Sequence, residues 1–84
     1  MVDVYLFIEL LRAANPTEIV ETLKGVELAN CKFANVVVLS EQKIVAQLNC
    51  NSYDNASQAI LERISPVEGI VQTNIVAAVR PVRR

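Results

Sequence analysis

Apolar and polar side chains take turns at the start of this chain. Val4, Leu6, Ile8 and Leu10 alternate with Asp3, Tyr5, Phe7 and Glu9 within a hydrophobic stretch running from Val2 to Leu11. Successive residues of a strand point to opposite sides, so the stretch predicts a strand with one wholly apolar face and one mixed face. The pattern breaks at Asn15-Pro16-Thr17-Glu18, which predicts a helix start. Asn15 can cap it, Pro16 suits the first helical position, and Glu18 stands where a capping-box acid belongs. Ile19, Val20 and Leu23 share one helical face, and Gly25 is the expected stop.

Two further strands are predicted at Cys31 to Leu39 and Lys43 to Cys50, around a loop at Ser40-Glu41-Gln42. The β-branched run Val36-Val37-Val38 favours sheet over helix. With regular pairing and a loop of about four residues, Val38 faces Lys43 and Cys31 lands opposite Cys50. One face of the hairpin then carries Cys31, Phe33, Asn35 and Val37 with Ile44, Ala46, Leu48 and Cys50. The other carries Lys32, Ala34, Val36 and Val38 with Val45, Gln47 and Asn49.

Asn51-Ser52 opens a second helix, with Tyr53, Ala56, Ile60 and Ile64 at helical spacing and Pro66 as its terminator. Val67-Glu68-Gly69 turns into a last strand, Ile70 to Val79, in which Ile70, Gln72, Asn74, Val76 and Ala78 share a side. Arg80-Pro81-Val82-Arg83-Arg84 reads as a basic, solubilising tail. The expected order is β-α-β-β-α-β in a single domain spanning residues 1–84. That order implies an α+β, ferredoxin-like fold: a four-stranded antiparallel sheet with both helices on one face. Nothing would then cover Tyr5, Phe7, Val36, Val38, Val45, Ile70, Val76 and Ala78. Monomers seldom expose a contiguous patch of that kind, so the same face of a second copy is expected to cover it.

Composition narrows the chemistry. Hydrophobic residues make up 52% of the 84, high for a chain that buries only about 60% of its surface on folding, and association would account for the excess. There is no His, which removes His-based triads, imidazole bases and zinc sites with His ligands. A net charge of −1 leaves no global footprint for nucleic acid, and the absence of Trp argues against a base-stacking platform. The longest uncharged run, Gly69 to Val79, has 11 residues, about half a membrane span. With Asp3 and Glu9 in the opening segment no secretory signal is expected, so a cytoplasmic setting follows. Cys31 and Cys50 form no CxxC pair, and in that compartment two reduced thiols are the default; a disulfide stays open if register and geometry match. No cofactor is expected.

The hairpin Val36-Val37-Val38-Leu39-Ser40-Glu41 with Ile44-Val45-Ala46-Gln47-Leu48, and the ending Val67-Glu68-Gly69-Ile70-Val71-Gln72-Thr73-Asn74, resemble a stand-alone effector-binding (RAM) domain of the Lrp/AsnC transcriptional regulators. The resemblance covers Val4 to Val79. In that family the ending reads as a Pro-Gly-Val turn followed by a strand with a Thr; here Glu68 takes the Pro position, and Gly69 and Thr73 fit. The family's Gly-x-Tyr-Asp loop takes part in effector binding, and its positions correspond here to Ser40, Glu41, Gln42 and Lys43. The resemblance implies a dimeric α-β barrel, assemblies of dimers, an amino acid or small metabolite as ligand, and a DNA-binding relative as partner. With the first strand starting at Val2, no helix-turn-helix precedes it, so direct DNA binding is not expected.

The candidate ligand site is therefore Ser40, Glu41, Gln42 and Lys43 with Thr73 and Asn74. Lys43 can pair a carboxylate, Glu41 an ammonium, and Ser40 or Asn74 can orient a ligand by hydrogen bonds. An ordinary solvated hairpin tip reads the same way. The strand amides Asn35, Gln47, Asn49, Gln72 and Asn74 suit either a polar cavity lining or register-setting bonds in an interface. A non-enzymatic regulatory module is the leading expectation. The alternatives are a cofactor-free enzyme of the dimeric ferredoxin-like type and a peptide-binding chaperone module like those of nitrate-reductase assembly.

Overall fold

A computed structural model describes residues 1–80. It contains strand β1 (Val2–Leu10), helix α1 (Pro16–Lys24), strands β2 (Cys31–Ser40) and β3 (Lys43–Cys50), and helix α2 (Tyr53–Ala59). A π-helical turn, Ile60–Ile64, follows α2 directly, and strand β4 (Ile70–Val79) ends the fold. The four strands form one sheet in the order β2-β3-β1-β4, every neighbouring pair antiparallel. Each helix therefore carries the chain across one intervening strand. The result is an α+β fold.

Strict alternation in the two central strands sets the core. Val4, Leu6 and Ile8 of β1 and Ile44, Ala46 and Leu48 of β3 are completely buried. Ile19, Val20 and Leu23 of α1 join them, with Ala56 and Ala59 of α2 and Ile60 and Ile64 of the π turn, in one cluster. Both helices thus cover the same side of the sheet. Each large aliphatic side chain buried there contributes about 2 kcal/mol of transfer free energy. Tyr53, expected on the packed side of its helix, stands half exposed instead.

The helix starts follow the sequence closely. The Asn15 side-chain oxygen accepts a hydrogen bond from the Thr17 N–H at 3.0 Å, with Pro16 in the first turn. Ser52 Oγ accepts from the Asn55 N–H at 3.1 Å. The second helix departs from expectation after Ala59, where it widens, and the Ser65 N–H reaches back five residues to the Ile60 carbonyl at 2.8 Å.

The edge strands hold the main departure from regular pairing. β1 and β3 pair without interruption, from Val2 opposite Cys50 to Glu9 opposite Lys43. In β2, Phe33 pairs Leu48 but Asn35 pairs Gln47, so Ala34 is an extra residue. Leu39 is a second, between Val38 opposite Ile44 and Ser40 opposite Lys43. In β4, Val76 is extra between Ala77 opposite Tyr5 and Ile75 opposite Leu6, and Val71 between Gln72 opposite Glu9 and Ile70 opposite Leu10. A single inserted residue reverses the facing of everything beyond it until the next insertion.

Cys31 and Cys50 are direct cross-strand partners and are joined by a disulfide, where the sequence reading favoured two separate thiols. Register brings them together: the hairpin's two outer ends meet on the core side, with Cys50 1% exposed. Beside them the Asn51 N–H donates to the Asn30 carbonyl at 3.0 Å, and Asn30 adopts a left-handed φ of 62°. The bridge spans 19 residues. A loop of that size corresponds to about 3 kcal/mol of denatured-state entropy. Dithiothreitol should therefore lower the urea midpoint of the wild type and leave Cys31→Ala/Cys50→Ala unchanged; equal midpoints with and without reductant would show that the bridge adds no stability.

Gly69 opens β4 at φ +97°, and a Cβ there would lie 2.8 Å from Ile19 Cδ1 and 3.3 Å from Ala14 Cβ. Gly69→Ala should cost about 2 kcal/mol in a urea melt, from the backbone conformation and the contact with α1 together.

Candidate functional site

The side of the sheet without helices is the most distinctive surface. Its composition follows from the register, because directly paired residues share a face. Reading from β2 to β4, one end row is Lys32, Asn49, Asp3 and Val79. The next rows are Asn35, Gln47, Tyr5, Ala77 and then Val37, Val45, Phe7, Asn74. Ser40, Lys43, Glu9 and Gln72 close the other end. Tyr5 and Phe7 sit at the centre, 36% and 38% exposed, so their neighbours cover part of each ring and the rest meets solvent. The Asn49 side-chain amide donates to Asp3 Oδ1 at 2.6 Å, and Gln72 Nε2 donates to Asn74 Oδ1 at 3.3 Å. The face is an aromatic and aliphatic centre framed by amides, with one lysine and one carboxylate at each end.

This corrects the interface expected from simple alternation at five of its eight residues. Tyr5, Phe7 and Val45 lie on the open face as expected. Val36 and Val38 do not: past the Ala34 bulge they pair with the buried Ala46 and Ile44, and Val36 packs against the core. Ile70 and Ala78 also turn to the helix side, opposite Leu10 and Val4. Val76 is itself the bulge residue. Their places on the open face are taken by Val37, Ala77 and Val79.

The expected ligand site is likewise split. Glu41 and Gln42 form the two-residue tip of the β2–β3 hairpin, both exposed, and the Gln42 carbonyl accepts from the Leu10 N–H at 2.8 Å. Ser40 and Lys43 are the last and first paired residues behind the tip. Lys43 belongs to the open face, opposite Glu9. Thr73 and Asn74 stand across β1 from the hairpin and on opposite sides of the sheet. Thr73 pairs Ile8 on the helix side and shares a 3.1 Å hydrogen bond with Ser65; Asn74 pairs Phe7 on the open side. The structure therefore does not bring the six residues into one pocket. Their spacing on β4 was legible, but their separation by a central strand follows only from the topology.

Two grooves escaped the sequence reading. One, of about 540 Å³, lies at the end of the sheet between α1 and the turn into β4, lined by Leu11, Ala14, Asn15, Glu18, Ile19 and Gly69 among others. The small residues Ala13-Ala14 and Gly69 are its only sequence signal. The other, of about 390 Å³, runs between the π turn and β4, where Ser57, Ser65 and Thr73 place hydroxyls beside Leu6, Leu61 and Ile75. Among the described residues no three His, Cys, Asp or Glu converge on a metal-sized site, and no buried side-chain nitrogen or oxygen lacks a partner. No described helix is long and apolar enough to cross a membrane. Of the basic tail, Arg83 and Arg84 lie outside the described residues.

Both sheet edges are irregular. The bulges at Ala34 and Leu39 in β2 and at Val71 and Val76 in β4 interrupt the ladders that an added strand would need. Edge capture of an extended peptide is disfavoured relative to contact through the flat face. No family model matches this chain, and no curated protein or solved structure does either.

The altered facing has a direct test. Val36→Asp should destabilise the chain by about 2–3 kcal/mol in urea, because it puts a carboxylate against the core. Val37→Asp, in dilute protein, should change stability by less than about 0.5 kcal/mol. Regular pairing from Cys31 to Val38 would give the reverse ranking.

Proposed function

We propose that this chain is a non-catalytic regulatory module that works as a homodimer joined through the open face of a ferredoxin-like sheet, similar to the effector-binding domains of the Lrp/AsnC regulators. The observation that carries the reading is the one-sided sheet. Helices bury the central strands completely on one face, while the other face keeps Tyr5, Phe7, Val37, Val45 and Ala77 together at its centre. Water covers such a patch at a cost that a second copy removes. The strand order β2-β3-β1-β4, with each helix crossing one intervening strand, supports the ferredoxin-like part of the reading.

The regulatory part draws on the resemblance of the hairpin and of the β4 entry to the family's. In this reading an amino acid or small metabolite is held at the hairpin tip, with Glu41 against its ammonium and Ser40 and Gln42 as hydrogen-bonding partners. Dimers assemble further, and a DNA-binding relative is the regulated partner. The chain itself reads no DNA and performs no reaction.

Sedimentation equilibrium from about 1 to about 200 μM protein tests the assembly, and a dimer within that range is expected. A monomer throughout would refute the reading. The effector is tested by thermal shift with the free amino acids at about 1 mM. At least one should raise the midpoint, and Glu41→Ala should abolish the rise; a flat response to all of them would leave a dimer without an effector.

A further inference from the structure

We propose that the two open faces stack about a two-fold axis parallel to the strands, so that β3 of one copy lies over β1 of the other and Lys43 of each meets Glu9 of its partner. The inference rests on the self-association reading and names its geometry. The charges on the open face are segregated: Lys32 and Lys43 stand on β2 and β3, while Asp3 and Glu9 both stand on β1. An axis along the strands reverses strand order and keeps each row over itself. It sets Lys43 over Glu9, Asn49 over Asp3, Val45 over Phe7 and Gln47 over Tyr5.

An in-plane axis at right angles to the strands keeps strand order and inverts the rows. It sets Glu9 over Asp3 twice, and brings the Lys43 and Lys32 ends of the two copies together. Like charges facing across a partly dehydrated interface oppose association, whereas opposite charges fix register. The charge pattern therefore selects the axis. Strands about 4.8 Å apart with outward positions about 6.7 Å apart give a footprint of roughly 500 Å² per copy. The total of roughly 1,000 Å² is at the small end of specific interfaces, so a micromolar, salt-sensitive dimer is expected.

The test uses the full chain in low salt. Lys43→Glu alone and Glu9→Lys alone should each weaken the wild-type dimer at least tenfold in sedimentation equilibrium. Mixed in equal amounts, the two variants should form a heterodimer, because every facing pair is then of opposite sign. Circular dichroism of each variant before mixing reports whether it folds, since Glu9 and Lys43 are also neighbours within one chain. The double variant Glu9→Lys/Lys43→Glu keeps that internal pair in reversed order and should dimerise like the wild type. A wild-type dimer that both single variants retain, or a mixture that stays monomeric, would overturn the stacking while leaving self-association intact. Glu9→Lys dimerising more tightly than the wild type would point to the perpendicular axis and overturn it as well. A wild type that is monomeric throughout would remove the self-association reading itself.

Discussion

One-sided burial of two central strands is the constraint on which the rest of this molecule depends. β1 and β3 alternate without a break, and their inward residues are the floor onto which both helices press. Two short helices can clad one side of a four-stranded sheet and no more. The other side of the sheet is left with an aromatic and aliphatic centre framed by amides.

The edge strands adapt to that floor. Two single-residue bulges in β2 and two in β4 reset which side chains point inward, so that Val36, Ile70 and Ile75 reach the core while Asn35, Gln72 and Asn74 stay on the open face. The same irregularities blunt the edges against strand addition. The edges are interrupted, while the open face keeps an aromatic centre at Tyr5 and Phe7.

The hairpin β2–β3 is tied at both ends. At its tip a two-residue turn bonds back to β1 through the Gln42 carbonyl, and at its base the Cys31–Cys50 bridge and the Asn30–Asn51 contacts close it. Lys43, Val45 and Gln47 then stand at fixed heights beside Glu9, Phe7 and Tyr5. A rigid register turns a scatter of charges into a directional pattern.

Much of this was legible in the chain itself. The alternation of Val4 to Leu10, the Asn15-Pro16 and Ser52 caps, and the number and order of elements are local signals, carried by neighbours a few residues apart. The ligand residues proposed from similarity were not brought together, because Thr73 and Asn74 are adjacent in sequence and so face opposite sides of a strand. Nor could the bulges be read. An extra residue at Ala34 or Val76 flips the facing of Val36-Val37-Val38 or begins the run Val76-Ala77-Ala78, and the hydrophobic pattern does not register it, since each candidate for either face is apolar. Facing at those positions was decided by pairing with β3 and β1, residues distant in the chain whose rigid alternation the edge strands had to match.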